Sequence, residues 1–151
     1  MQLTSTLVPL AALVSIGAAA ALPETVAAPS EWGYWGVTNF TITTTPLVPA
    51  YTYQFSVQKN SVPEAASCGG VAGAITCSDS TYTITVSDTA GEPFTITQKL
   101  AQAGSIAVLT GSTLVDTSCI AIDGATPETT RTVCSNDYFE VQADLASTLL
   151  P

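Results

Sequence analysis

Four cysteines give this sequence its clearest chemical pattern, and they fall as two pairs, Cys68 with Cys77 and Cys119 with Cys134. An even number of cysteines is typical of a chain that folds in an oxidising compartment. Four cysteines allow three pairings, and we predict the sequential one because it closes the two shortest loops. A zinc site is the alternative, but the spacing fits no Cys-x-x-Cys knuckle and the chain has no histidine to complete a mixed set of ligands. The cysteines therefore predict two disulfides, and we expect no metal and no other cofactor.

The charge balance excludes several kinds of active site and partner. The 151-residue chain has 12 acidic residues, 3 basic residues and no histidine, which gives a net charge of −9. Without histidine there is no Ser-His-Asp or Cys-His catalytic site. Three cations cannot form the basic stripe that a nucleic acid requires, so we expect no nucleic-acid partner.

Paired carboxylates are the remaining route to catalysis. A glycosidase needs two of them about 5–10 Å apart across a cleft. Asp116 and Asp123, which flank Cys119 in a mostly uncharged region, are the best candidates for such a pair. Nearly all the acidic residues, however, fall at predicted turns or on the polar side of predicted strands, where they would be solvated surface charge. We therefore expect that the protein is not an enzyme.

Trp32, Tyr34 and Trp35 form the densest aromatic cluster in the sequence. In a regular strand Trp32 and Tyr34 share one face, whereas Trp35 begins the opposite row with Val37. We predict that Trp35 belongs to the core. Trp32 and Tyr34 are then free to form a binding surface that stacks on sugar rings or anchors a partner protein.

An Asn-x-Thr sequon at Asn39-Phe40-Thr41 predicts an N-linked glycan on a secreted chain. Asn39 has the same parity as Val37, which we place in the core, and it precedes the apolar Phe40. The sequence therefore leaves open which face of the strand carries the Asn39 side chain.

The elements that must position these residues are short β-strands. Apolar and polar residues alternate with a period of two, the pattern of strands with one buried face, in residues 51–58, 81–87, 94–97 and 139–145. Less regular strands are predicted at 35–44, 73–78, 105–110 and 114–122. Together they predict a single all-β domain, an antiparallel barrel or sandwich of about 8 to 11 short strands with two disulfides.

Three segments carry more specific predictions. Ser105–Thr110 has a continuous apolar centre, which is typical of a strand covered on both faces. Gly69–Gly73 is glycine-rich and is interpreted as a flexible loop inside the first cysteine ring. Ser135–Asp137 is interpreted as a turn.

The N-terminus predicts export. Residues 1–20 have the order of a signal peptide, with an apolar stretch followed by a run of alanines, and no charged side chain precedes Glu24. The stretch is shorter than the roughly 20 residues of a transmembrane helix, so we expect no membrane association. Residues 21–31 then form a flexible N-terminal arm, and residues 32–147 form the β-barrel domain. We expect a secreted, extracellular protein.

The layout of these segments resembles the Alternaria alternata allergen 1-like domain family of fungi. The resemblance covers roughly Trp32 to Leu145. It consists of an aromatic opening strand, two cysteine pairs and the strands around them, here Trp35–Phe40, Tyr51–Val57, Ser80–Val86 and Phe139–Ala143.

The resemblance implies a β-barrel of about eleven strands with the two sequential disulfides and no catalytic residues. It further implies a secreted fungal protein of the allergen and elicitor type, an effector whose partner is a host plant protein or cell-surface component. The allergen-type dimer uses an additional cysteine near the mature N-terminus, and Ala21–Glu31 contains none, so we expect a monomer. The alternative is a carbohydrate-binding or cell-wall-associated module that uses Trp32 and Tyr34.

Overall fold

The structure, a computed structural model, describes residues 30–86 and 92–150, and in them the chain forms ten β-strands. A 3-10 helix of one turn, Pro127–Thr129, is the single helical element of the described part. The strands are β1 (Tyr34–Thr45), β2 (Val48–Lys59), β3 (Ala66–Val71), β4 (Ala74–Cys77), β5 (Tyr82–Thr85), β6 (Phe94–Gln102), β7 (Ser105–Thr113), β8 (Ser118–Ile122), β9 (Arg131–Gln142) and β10 (Asp144–Leu149).

The strands form two antiparallel sheets, which confirms the predicted all-β fold class. The larger sheet has six strands in the order β4-β3-β2-β1-β9-β8, and the smaller has four in the order β10-β7-β6-β5. No hydrogen-bonded ladder joins the two sheets within the described residues, so the arrangement is a sandwich rather than a closed barrel. β1 lies at the centre of the larger sheet, between β2 and β9.

Alternate residues of both sheets point inward and form one core. Trp35, Val37 and Val57 of the larger sheet and Ile96 and Leu109 of the smaller sheet are completely buried. Trp35 is therefore a core residue, as its parity predicted. Four phenylalanines meet in the middle with ring centroids 5.4–5.7 Å apart, three from the larger sheet and one from the smaller: Phe40, Phe55, Phe139 and Phe94.

Both predicted disulfides are present, Cys68–Cys77 and Cys119–Cys134. Each joins directly paired residues of neighbouring strands, the first between β3 and β4 and the second between β8 and β9. Their surroundings differ, because Cys68 is buried in the core and Cys119 is exposed. Both disulfides thus fasten an edge strand of the larger sheet, β4 and β8, and the first also contributes buried atoms to the core.

A β-bulge at Asn39 resolves the question of which way β1 faces. Asn39 has a φ angle of 53°, and the register between β1 and β2 shifts by one residue between Thr38 and Thr41. The extra residue reverses the inward and outward parity, so both Val37 and Phe40 point into the core although they are three positions apart. Asn39 itself is exposed.

Three predictions about local structure were wrong. The glycine-rich segment is mostly strand β3, because pairing with both β2 and β4 outweighs the low strand propensity of glycine. Residues 135–137, predicted to form a turn, lie within β9, where pairing with β1 and β8 holds them extended. β7 is buried on one face only, with Ala107 and Leu109 inside and Ile106 exposed.

The predicted signal peptide, most of the N-terminal arm and residues 87–91 lie outside the described residues. The end of the arm is described, and there the Ser30 hydroxyl donates a hydrogen bond to the Ala143 carbonyl. At the other end of the predicted domain, β10 continues two residues past 147, to Leu149. No helix in the described part is long and apolar enough to cross a membrane.

Candidate functional site

Two tyrosines lie on the outer face of the larger sheet, on either side of Gly36 along the paired strands. Tyr34 begins β1, and Tyr138 lies on β9, paired with Thr38. Between them Gly36 has no side chain, and a Cβ built there would lie 3.1 Å from the Tyr138 ring, so the ring covers the glycine. Tyr138 nevertheless keeps 51% of its surface exposed. We call Tyr34 and Tyr138 the tyrosine surface.

A hydrogen bond fixes the orientation of the Tyr138 ring. Its hydroxyl donates to Glu140 Oε1 over 2.6 Å, and Glu140 is the next outward residue on the same strand. This bond to a carboxylate, with some desolvation and the negative charge of Glu140, raises the pKa of Tyr138 to about 12. The hydrogen bond to Glu140 orients the phenol, which makes Tyr138 a preorganised contact residue.

A polar groove of about 490 Å³ adjoins Tyr138. It lies between the segment that enters β8 and the middle of β9, and its lining is Asp116, Thr117, Ser118, Ser135, Asn136, Asp137 and Tyr138. The Asn136 amide braces the two sides by donating to the Asp116 carbonyl over 2.7 Å. Asn136 Oδ1 also accepts a hydrogen bond from the Tyr138 backbone N–H. The groove therefore presents hydroxyls, carboxylates and an aromatic ring on a backbone that the hydrogen bonds of Asn136 hold in place.

Trp32, the other predicted member of the binding surface, lies apart from this arrangement. It sits in the turn before β1, half-buried, with its side chain packed against the core. The Lys59 ammonium donates a hydrogen bond to the Trp32 carbonyl and holds the turn in place. Tyr34 therefore shares the outer face of the sheet with Tyr138 and not with Trp32, because the strand begins only at Tyr34 and the parity of a regular strand does not extend to Trp32.

Behind the tyrosine surface, the core contains a small polar cluster. Trp35 Nε1 donates to Gln98 Oε1 over 2.8 Å, and Gln98 also hydrogen bonds to Tyr82. The Lys59 ammonium lies 5.3 Å from the centre of the Trp35 ring, and its desolvation lowers the Lys59 pKa. These contacts satisfy polar atoms where β1, β2 and β6 pack together, and they fix the beginning of β1 that carries Tyr34.

The carboxylates singled out from the sequence do not form a catalytic pair. Asp116 precedes β8 and Asp123 follows it, so the five-residue strand separates them. Such a strand alone spans about 13 Å, which exceeds the separation used in glycoside hydrolysis. The described residues also contain no group of three His, Cys, Asp or Glu side chains that could hold a metal ion.

Comparisons with known proteins identify the fold. No family model matches the sequence, and no curated protein matches it significantly. A crystal structure of the Alternaria alternata allergen Alt a 1 matches with a TM-score of 0.55 and 15% identity, over 78% of this chain and 91% of that one. The chain has an Alt a 1-like fold. A second crystal structure of Alt a 1, described as the major allergen of that fungus, agrees, with a TM-score of 0.55, 14% identity and coverage of 82% and 99%.

The Alt a 1-like fold confirms the resemblance seen in the sequence at the level of architecture. Sequence analysis missed Tyr138 and the groove because it placed a turn at residues 135–137. One signal was available: the alternation of Phe139 and Val141 continues backwards and places Tyr138 on the same outer face as Glu140. The pairing of β9 with β1, which places Tyr138 on the same outer face as Tyr34, has no local signature in the sequence.

Proposed function

We propose that this chain is a secreted fungal effector or elicitor that acts without catalysis and binds a host plant protein or cell-surface component through the tyrosine surface. The observation that carries the proposal is the exposed Tyr138 ring, held by Gly36 and Glu140 beside a braced polar groove. The Alt a 1-like fold, the signal-peptide pattern of residues 1–20 and the two disulfides support the extracellular setting.

The physical argument rests on preorganisation. A tyrosine supplies a large contact area with few rotatable bonds, and tyrosines are enriched among the residues that dominate binding energy. Tyr138 is already fixed by its hydrogen bond to Glu140, so binding costs little side-chain entropy. Asp116 and Asp137 make the groove acidic, which favours a partner with basic or hydroxyl groups facing the groove.

The test is capture of plant extracellular proteins on immobilised mature protein, together with infiltration of the same protein into leaves. We expect Tyr138→Ala to reduce capture of a specific partner and the defence response at least tenfold. Tyr51→Ala is the matched control, because Tyr51 is an exposed tyrosine of the same sheet but belongs to β2. The proposal is wrong if no host tissue responds, or if both substitutions reduce the response equally.

A carbohydrate-binding module is the second candidate, and the composition of the groove favours it. Hydroxyls, an amide and two carboxylates beside an exposed aromatic ring are the groups that recognise sugars. Insoluble glucan and chitin would then retain the wild-type protein but not Tyr138→Ala or Tyr34→Ala, and Trp32→Ala would reveal any role of the half-buried indole. No retention by either polysaccharide would eliminate this candidate and leave the protein partner.

A further inference from the structure

β8 forms one edge of the larger sheet, and it is an unprotected edge. β9 pairs with it on one side, and no described strand lies on the other. Natural edge strands usually carry a charge, a proline or a covering segment that prevents another strand from pairing. β8, with the sequence Ser-Cys-Ile-Ala-Ile, contains no charged residue and no proline, and its first four residues are exposed.

The Cys119–Cys134 pair shows which backbone groups of β8 are free. The two Cα atoms are 3.9 Å apart, which identifies a non-hydrogen-bonded pair, because hydrogen-bonded antiparallel pairs lie about 5.5 Å apart. The N–H and C=O of Cys119 therefore point away from β9, as do those of Ala121 two residues later. Neither residue makes a turn or loop hydrogen bond within the described part of the chain. Two donors and two acceptors thus face solvent in one row.

We propose that the β8 edge binds an extended segment of another protein, which adds to the sheet as a seventh strand and carries basic residues at its two ends. The backbone groups of Cys119 and Ala121 would supply the hydrogen bonds of such strand addition. Ile120, which is 62% exposed, would provide an apolar cross-strand contact. This inference deepens the proposed function by naming the kind of segment that a protein partner presents.

The charge of the segment follows from the residues at the ends of β8. Asp116 and Asp123 stand before and after the strand, and both are exposed. A segment with Lys or Arg at both ends would place cations beside these carboxylates. Pairing of two copies through β8 would instead bring Asp116 of one copy towards Asp123 of the other, between chains that each carry a net charge of −9. The charge pattern therefore favours a basic partner over a second copy.

The test measures fluorescence anisotropy of labelled synthetic peptides with the mature, disulfide-bonded protein. The probe is a peptide of about eight residues with alternating Thr and Val between two terminal Lys residues, a length that spans the residues from Asp116 to Asp123. The control peptide has Glu in place of each Lys. We expect the Lys peptide to bind at least tenfold more tightly than the Glu peptide, and the difference to shrink at high salt.

A matched pair of variants tests the role of the backbone. Ala121→Pro removes an N–H that points to solvent, and it removes no hydrogen bond to β9. The strand should therefore survive, while the affinity for the peptide falls at least tenfold. Ala121→Val keeps the N–H and should bind within about twofold of wild type. Asp116→Asn combined with Asp123→Asn leaves the backbone intact and should abolish the preference for the Lys peptide, so the proposal remains testable if the proline variant does not fold.

Three results would overturn the inference. These are no binding of the Lys peptide to wild type, equal binding by a folded Ala121→Pro variant, or equal affinity for the Lys and Glu peptides. A dimer in analytical ultracentrifugation that Ala121→Pro dissolves would show that the edge binds a second copy instead. The proposed function fails separately, through the leaf and capture experiments with Tyr138→Ala, because that substitution leaves the β8 backbone unchanged and Ala121→Pro leaves Tyr138 unchanged. The variant with Asp116→Asn also alters the groove, so it is used only to compare the two peptides.

Discussion

The Cys119–Cys134 disulfide joins β8 to β9, and its removal gives a quantitative prediction. We consider the double variant Cys119→Ala/Cys134→Ala, with Cys68→Ala/Cys77→Ala for comparison. The cystines close loops with sequence separations of 15 and 9 residues. In the chain-entropy treatment these loops contribute about 3 and about 2.6 kcal/mol, respectively, by restricting the unfolded chain.

Burial should make the loss of stability larger for the Cys68–Cys77 cystine than for the Cys119–Cys134 cystine. Cys68 is 6% exposed and belongs to the core cluster, so its replacement by alanine removes buried atoms and costs a further ~1 kcal/mol. Cys119 is exposed and adds no such term. We therefore expect a loss of about 3 kcal/mol for the β8–β9 cystine and about 3.6 kcal/mol for the β3–β4 cystine, measured by urea unfolding without reductant.

Hydrogen exchange should show where each loss occurs. In the wild type, the amides of Ile120 and Ile122 should be protected because they face β9, whereas those of Cys119 and Ala121 should exchange freely. Without the β8–β9 cystine, Ile120 and Ile122 should lose protection well beyond the global change, because β9 is the one described strand that pairs with β8. A loss of stability below about 1 kcal/mol, or β8 amides that stay protected in that variant, would refute the reasoning.

Three other changes test the site and the fold. Glu140→Gln should lower the pKa of Tyr138 from about 12 towards the ordinary 10.0, and ultraviolet titration of the phenol measures that change. Because folding raises this pKa, the contact contributes its full stabilisation below about pH 10, and the contribution is lost as the pH rises towards 12. Gly111→Ala should cost about 1–3 kcal/mol or more in urea unfolding, because a Cβ there would overlap the Gln142 carbonyl oxygen, and unchanged stability would contradict that packing. Asn39→Gln and Thr41→Ala should each remove the same mass from protein secreted by a fungal host, and identical masses for wild type and both variants would show that the sequon is not glycosylated.

Local alternation of apolar and polar residues was sufficient to predict most of the core, and the short loops between the cysteines were sufficient to predict the disulfides. The alternation in β2, β5 and β6 places Phe55, Ile84 and Ile96 inside, as observed. The parity of Trp35 predicted its burial for the same reason. The cysteine pairing was predictable because both partners lie on strands that are adjacent in the sheet, which keeps the loops short.

What the sequence could not show depends on contacts between distant segments. β1 pairs with β9, about a hundred residues later, and this pairing alone places Tyr138 over Gly36. The bulge at Asn39 reverses the parity of β1, and it appears only in the register of β1 against β2. The order of the strands in the sheet therefore determines the tyrosine surface, whereas the local alternation of apolar and polar residues determines the core.

This separation between core and surface bears on how such a protein can acquire new partners. The residues that fix β1 from inside, Trp35, Gln98 and Lys59, point away from the face that carries Tyr34 and Tyr138. Substitutions on the outer face therefore leave the buried hydrogen bonds and the phenylalanine cluster intact and should change stability little. The 14–15% identity to Alt a 1 structures of the same fold is consistent with a core constrained by alternation and two cystines. Residues of the outer face and of the free edge are not needed for core packing, so they are the residues that can change to suit a partner.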